Sequence, residues 1–283
     1  MMREYLDPEA APRHPGERPR AVMGIVALLA LALAAFCALP ARAQQAGGAT
    51  ASLAQQQLNP LANVTKLSAT LNFDLGVGPE RDTVPSLNFQ PVIPFGLNED
   101  WRIVTRSNVS IIHLPGPEQT TGLGDLSSSF FLTPARSGPW VWGAGPIVQL
   151  PTATDPILGS GKWSAGPTAG LVYVEGPWVN GILVSHLWSF AGSTSREQVN
   201  QTQIEVQVSY TFQNDWYIQT NPTLTYNWKP PGQGWTVPIG IDVGKSWSVG
   251  TQGLSLQAGA YYNVKKLDGA AEWLLRTQLT WVF

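Results

Sequence analysis

Sulfur and imidazole are scarce in this sequence: 283 residues contain one cysteine, three histidines and three methionines. The lone cysteine, Cys37, lies in an apolar stretch near the N-terminus, so the rest of the chain offers neither a disulfide framework nor a thiol nucleophile. No cluster of His, Cys or carboxylates has metal-ligand spacing, and no cofactor motif is present. Gly159-Ser160-Gly161-Lys162 lacks the spacing of a phosphate loop and the strand-to-helix context such a loop needs. Charge is sparse as well, at 13% of residues with a net -2, which excludes a nucleic-acid binder. Only one long apolar run exists, Ala21 to Leu39, so a bundle of membrane helices is excluded too.

That single run reads as export machinery. It follows Arg13, Arg18 and Arg20, is rich in Ala and Leu, and ends in Pro40-Ala41-Arg42-Ala43, the small-x-small form cut by signal peptidase. Residues 1–43 are therefore expected to be a signal peptide; the alternative is a retained anchor. Phe36, just before Cys37, spoils a lipoprotein site. Removing 1–43 leaves 15 acidic and 12 basic residues. Residues 44–63 read as a periplasmic N-terminal segment, with a short helix over Ser52 to Leu61 capped by Ser52. This segment is either a plug or gate at the periplasmic mouth or a flexible leader.

From Val64 onward the period is 2, in segments broken by Gly, Pro, Asn and Asp. Twelve are predicted: Val64 to Val77, Val84 to Leu97, Trp101 to His113, Gly122 to Thr133, Trp140 to Leu150, Lys162 to Val174, Trp178 to Phe190, Thr202 to Phe212, Trp216 to Trp228, Trp235 to Val249, Leu254 to Lys265 and Ala271 to Phe283. The connections alternate between short and mostly longer. That alternation, with an even strand count, predicts an all-β, up-and-down antiparallel barrel over 64–283, crossing a bacterial outer membrane with short turns in the periplasm.

Tryptophan spacing assigns the two faces. Trp178/Trp188, Trp216/Trp228, Trp235/Trp247 and Trp273/Trp281 are each separated by an even number, so both members of a pair share a face, as the two aromatic girdles of a membrane barrel require. The opposite face is polar in the first, third, eighth, ninth and eleventh segments. It places Lys66, Asp74, Arg102, Arg106, Asp125, Glu205, Asp242, Lys265, Glu272 and Arg276 as candidate lumen residues of both signs. Pro91, Pro94, Pro146, Pro167, Pro222 and Pro238 fall inside strands and each predicts a bulge or bend.

Several runs resemble an outer-membrane β-barrel family described as transporters, also called the phenol-degradation meta-pathway family and at times mislabelled neuromedin U. They are GLGDLSSSFFLTP from Gly122, WGAGPIVQLPTATD from Trp142, LGSGKWSAGPTAG from Leu158, LWSFAG from Leu187, WTVPIGIDVGK from Trp235, AYYNV from Ala260 and the closing EWLLRTQL. The resemblance spans roughly Leu53 to Phe283 and implies a barrel passing small solutes, aromatic or hydrophobic compounds among them, without catalytic residues. Phe283 also matches the C-terminal signal read by the barrel-assembly machinery. Asp242 and Ser246-Trp247 depart from the family's pattern, and Asp242 has inward parity.

Three functions are therefore weighed: a narrow passive channel, a structural or adhesion barrel, and a lipid hydrolase built around His186. The third is disfavoured because Ser185 and His186, being adjacent, point to opposite faces. The expected partners are outer-membrane lipids and lipopolysaccharide, the assembly machinery and small-molecule solutes. Acidic Glu80, Asp82, Asp155 and Asp268 in the outer loops could meet divalent cations near lipopolysaccharide.

Overall fold

The structure, a computed structural model, describes residues 53–116, 119–229 and 234–283. The predicted signal peptide and the residues up to Ser52 lie outside these. Among the described residues, one short helix, α1 (Leu53–Leu58), precedes the strands β1 (Lys66–Val77), β2 (Asp82–Gly96), β3 (Trp101–Leu114), β4 (Thr120–Leu123), β5 (Leu126–Pro134), β6 (Trp140–Leu150), β7 (Lys162–Glu175), β8 (Trp178–Gly192), β9 (Asn200–Thr211), β10 (Trp216–Thr220), β11 (Thr223–Asn227), β12 (Trp235–Val249), β13 (Gln252–Lys265) and β14 (Trp273–Val282).

Each strand pairs antiparallel with its neighbours, and β1 pairs with both β2 and β14, so the sheet closes. β4 and β5 both lie along β3 and form one crossing, interrupted at Gly124-Asp125. β10 and β11 likewise form one crossing along β9, interrupted at Asn221-Pro222. The result is the predicted twelve-stranded barrel, with its fourth and ninth strands each split in two. The helix is shorter than the predicted Ser52 to Leu61: it ends at Leu58, and the Asn59 side chain then accepts from Leu61 N at 2.9 Å, closing an Asx turn before Pro60 can extend the helix.

Proline accounts for part of the irregularity. The β12–β13 register shifts between Val237 and Pro238, and the pairs around Pro146 on β5–β6 and around Pro167 on β7–β8 are missing; β7–β8 also shifts between Trp163 and Ser164, and β1–β2 between Leu75 and Val77, without a proline. Each proline lacks the N–H that a ladder needs. Across β10–β11 the parity survives the break, because Tyr217↔Thr211 and Thr223↔Glu205 belong to one register.

The connections at 97–100, 135–139, 176–177, 212–215 and 250–251 all fall at one end of the barrel, and 151–161, 193–199, 228–234 and 266–272 at the other. Short turns face the periplasm in such barrels and longer loops face out. The outer wall is apolar, with Ile239, Ile241, Val243, Leu256 and Leu275 all exposed. Aromatic clusters ring both of its ends. Trp101/Trp142, Trp140/Tyr173 and Trp178/Tyr210 are at the short-turn end, while Tyr226/Trp228, Tyr226/Trp235 and Tyr262/Trp273 are at the loop end. A surface this apolar, bounded by two aromatic belts, is matched to a bilayer rather than to water.

Candidate solute path through the barrel

Three structures fill the lumen: an ion pair across it, a polar layer on one wall, and a plug at the short-turn end. The ion pair joins Arg106 on β3 to Glu205 on β9 through two hydrogen bonds of 2.8 and 3.0 Å. These strands are five neighbours apart one way round the barrel and seven the other, so the pair spans nearly a full diameter. It lines two cavities, one on each side of it.

On the β10–β14 side the interior is almost filled. Tyr217 hydroxyl meets Ser255 Oγ at 2.6 Å and donates to Gln257 Oε1 at 3.0 Å, and Gln219 Nε2 donates to the same Gln257 oxygen at 3.0 Å. Asp242 accepts from Tyr261 hydroxyl at 2.6 Å and from Arg276 Nε at 2.7 Å, and Arg276 makes a second, very short bond to it. The cavity left on this side is only about 70 Å³. On the β5–β8 side it is about 300 Å³, with Asn108, Ser127, Ser129, Thr168, Ser185 and Gln203 around it and Phe131, Ile147 and Leu183 forming an apolar part.

The plug is α1 and the turn after it. Ala54, Leu58 and Leu61 pack against Val92, Val104, Phe131, Val141, Val172, Val179, Leu183 and Tyr217. Gly170 admits the Leu61 side chain, since a Cβ there would press on both Leu61 and Leu183, and Gly253 admits Leu53 for the same reason. Barrel side chains then hold the plug's carbonyls. Lys66 Nζ donates to Gln57 O at 2.6 Å and Asn59 O at 2.8 Å, Gln207 Nε2 to Leu58 O at 2.7 Å, and Arg102 reaches Leu61 O at 3.5 Å. The plug itself lines the smaller cavity through Gln57, Leu58 and Pro60, and Phe131 and Leu183 are shared between its docking wall and the larger cavity.

Of the ten predicted lumen residues, Lys66, Arg106 and Glu205 line the cavities, while Asp242 and Arg276 bond to each other inside the polar layer. Arg102 is buried at the short-turn end, donating to Ala135 O at 2.7 Å. Asp74 shares the face of Lys66 further along β1, and Lys265 is exposed at the loop end of β13. Asp125 and Glu272 are placed differently from the wall positions assigned to them. Asp125 falls in the break between β4 and β5, where it accepts from Ser160 N at 2.7 Å, Ser160 Oγ at 2.6 Å and Ala153 N at 3.2 Å, fastening the 151–161 loop. Glu272 precedes β14 and pairs with Arg81 at the loop rim, at 2.6 and 2.7 Å.

The eight predicted girdle tryptophans alternate between the two ends. Trp178, Trp216, Trp247 and Trp281 are at the short-turn end, and Trp188, Trp228, Trp235 and Trp273 at the loop end. Phe283 stacks on Trp281 at 5.9 Å and donates its backbone N–H to Thr65 O at 3.0 Å. Ser185 lines the larger cavity, whereas His186 faces out, with its ring nitrogens 2.7 Å from Thr202 Oγ1 and 3.0 Å from Asn200 Oδ1.

The apolar docking wall departs from the polar lumen that the alternating segments predict. Its signal was nonetheless present, because near the short-turn ends β6 and β7 read Trp140-Val141-Trp142 and Leu171-Val172-Tyr173, apolar on both faces. Two-sided apolar character marks a strand buried on both sides.

Among the described residues, the longest unpaired stretch of the barrel wall lies between β10–β11 and β12. β10 pairs with β12 over Trp216 to Gln219 and β11 over Thr225 and Tyr226, and no pair forms between residues 220–224 and 237–241. Side chains from inside take over the ladder's work there: Asn221 N donates to Tyr261 hydroxyl at 2.9 Å, and Arg276 donates to Asn221 O at 3.3 Å.

These features define a transmembrane antiparallel β-barrel with a narrow, partly filled lumen. The fold is shared with solved outer-membrane barrels. An outer-membrane channel from Pseudomonas putida F1 aligns over 83% of this chain and 100% of its own, with 16% identity and a TM-score of 0.61. The NanC porin aligns over 77% and 98%, with 10% identity and a TM-score of 0.51. The outer-membrane phospholipase A of Escherichia coli aligns over 82% and 97%, with 14% identity and a TM-score of 0.45. No family model and no curated protein matches the sequence.

Proposed function

We propose that this chain is an outer-membrane channel through which small solutes, aromatic and hydrophobic compounds among them, cross passively. The observation that carries this reading is the cavity of about 300 Å³ beside the Arg106–Glu205 bridge, open space with a polar rim and an apolar base inside a closed barrel. Eight-stranded barrels are filled by their side chains and 16-stranded ones hold wide water channels, so twelve strands suit a narrow path. The plug makes the resting path narrower still, and α1 with the turn after it acts as the gate. Lipopolysaccharide meets the outer loops, and Phe283 serves assembly.

We read the chain as non-enzymatic. Ser185 and His186 lie on opposite faces of β8, so they form no nucleophile and base pair. A His186→Ala protein that lost a measurable esterase activity would overturn this.

Channel activity is tested with purified, refolded protein in planar bilayers and in liposome swelling. Stepwise ion conductance and solute entry are expected, and absence of both retires the reading. If phenolics enter no faster than sugars of equal size, aromatic uptake loses its support.

A further inference from the structure

We propose that the larger cavity is a binding site for small amphipathic carboxylates, with Arg106 as the group that recognises the anion. The inference rests on the channel reading and names the solute class for it. Three observations converge on the site.

The first is charge. Below the loop rim, the inward-facing cations are Lys66, Arg102, Arg106 and Arg276, and the inward-facing acids are Asp74, Glu205 and Asp242, an excess of one positive charge. A low-dielectric wall focuses such an excess on whatever enters the lumen.

The second is unused donor capacity. A guanidinium carries five N–H donors, and Arg106 spends one from each terminal nitrogen on Glu205. A carboxylate can therefore bond Arg106 beside Glu205 without displacing it. Asp242 is engaged by Arg276 and Tyr261, so Glu205 is the acid the incoming anion faces.

The third is shape. The donors Asn108, Ser129 and Thr168 share the cavity with Phe131, Ile147 and Leu183, so a carboxylate on Arg106 sets a ring or short chain against the apolar side. A neutral ligand would gain only the apolar contact, and an ammonium would meet the positive excess.

The test uses three probes of one shape, benzoate, benzamide and benzylammonium. Binding is measured by calorimetry on the detergent-solubilised mature protein, and entry by liposome swelling. Benzoate is expected to bind at least tenfold more tightly than benzamide, with benzylammonium weakest. Arg106→Lys should keep part of that preference and Arg106→Gln should abolish it. Should Arg106→Gln fail to fold, as judged by heat-modifiable gel mobility, the doubly neutral Arg106→Gln/Glu205→Gln protein replaces it. Equal binding of benzoate and benzamide to the unaltered protein, or a benzoate preference that survives the neutral variants, overturns the proposal. Benzoate binding without any solute entry would sustain this site and retire the channel; equal entry and equal binding of all three would do the reverse.

Discussion

Asp242 has no exposed surface and is held by Arg276 on the next strand but one, through Nε at 2.7 Å and a second bond from a terminal nitrogen, with the Tyr261 hydroxyl between them at 2.6 Å from the carboxylate. Arg276 also lies over the Tyr261 ring, 4.4 Å from its centroid. The three side chains stand behind the unpaired stretch of barrel wall, and two of them bond its backbone at Asn221. This group therefore does structural work in the wall as well as filling the lumen.

Asp242→Asn should destabilise the barrel strongly, because it leaves a buried guanidinium without its counter-charge; the cost of breaking such a pair is about 3–5 kcal/mol. Replacing both partners, as Asp242→Asn with Arg276→Met, should recover much of that loss. Urea unfolding in detergent, followed by tryptophan fluorescence, measures both, and a single variant as stable as the unaltered protein would refute the assignment.

Removing the plug should widen the path. A mature protein lacking residues 44–62 is expected to conduct several-fold more current than the full mature chain. Leu61→Asp should do the same without a deletion, since it places a charge among Leu183, Val104 and their neighbours. Lys66→Met, which takes two hydrogen bonds from the plug's carbonyls, should raise the frequency of opening events. Unchanged conductance in all three would show that the plug does not limit flow.

The unpaired stretch between β10–β11 and β12 predicts a local weakness. Hydrogen exchange on protein in nanodiscs should find backbone amides at 237–241 that face β11 exchanging faster than those of the same strand that pair with β13. Tyr261→Phe should accelerate exchange at Asn221, whose N–H the hydroxyl accepts. Uniform protection along β12 would contradict this.

At the loop rim, Arg81 holds the Glu272 carboxyl below its usual range through their hydrogen bonds. A depressed acid stabilises the folded form above the ordinary carboxylate pKa, and that contribution fades as pH falls through the lowered value. The pair should stay closed at neutral pH and open only in strong acid. An NMR titration of Glu272 checks the direction: its midpoint should lie below 4.5 and rise in Arg81→Gln. Both groups are well solvated, so neither substitution should measurably change stability.

The amino-acid sequence alone determined the barrel, its strand count and, on the strands with paired tryptophans, the side that meets lipid. Those depend on short-range regularities: the period of 2, the turn residues and the even spacing of pairs such as Trp216 and Trp228. Even the break at Pro222 was foreseeable, because proline's missing donor is a local property.

Tertiary structure decided what the lumen does. Parity states that Arg106 and Glu205 both point inward, but only closure of the barrel brings residues 99 positions apart to within 2.8 Å across a diameter. The same closure brought Asp242 to Arg276, and it gave the two-sided apolar stretches around Val141 and Val172 an object to bury, the helix that carries Leu58. Whether an inward charge is free, paired or bonded to a plug depends on which strands face each other and at what height. That is set by barrel closure and register, which couple distant segments that local patterning treats one at a time.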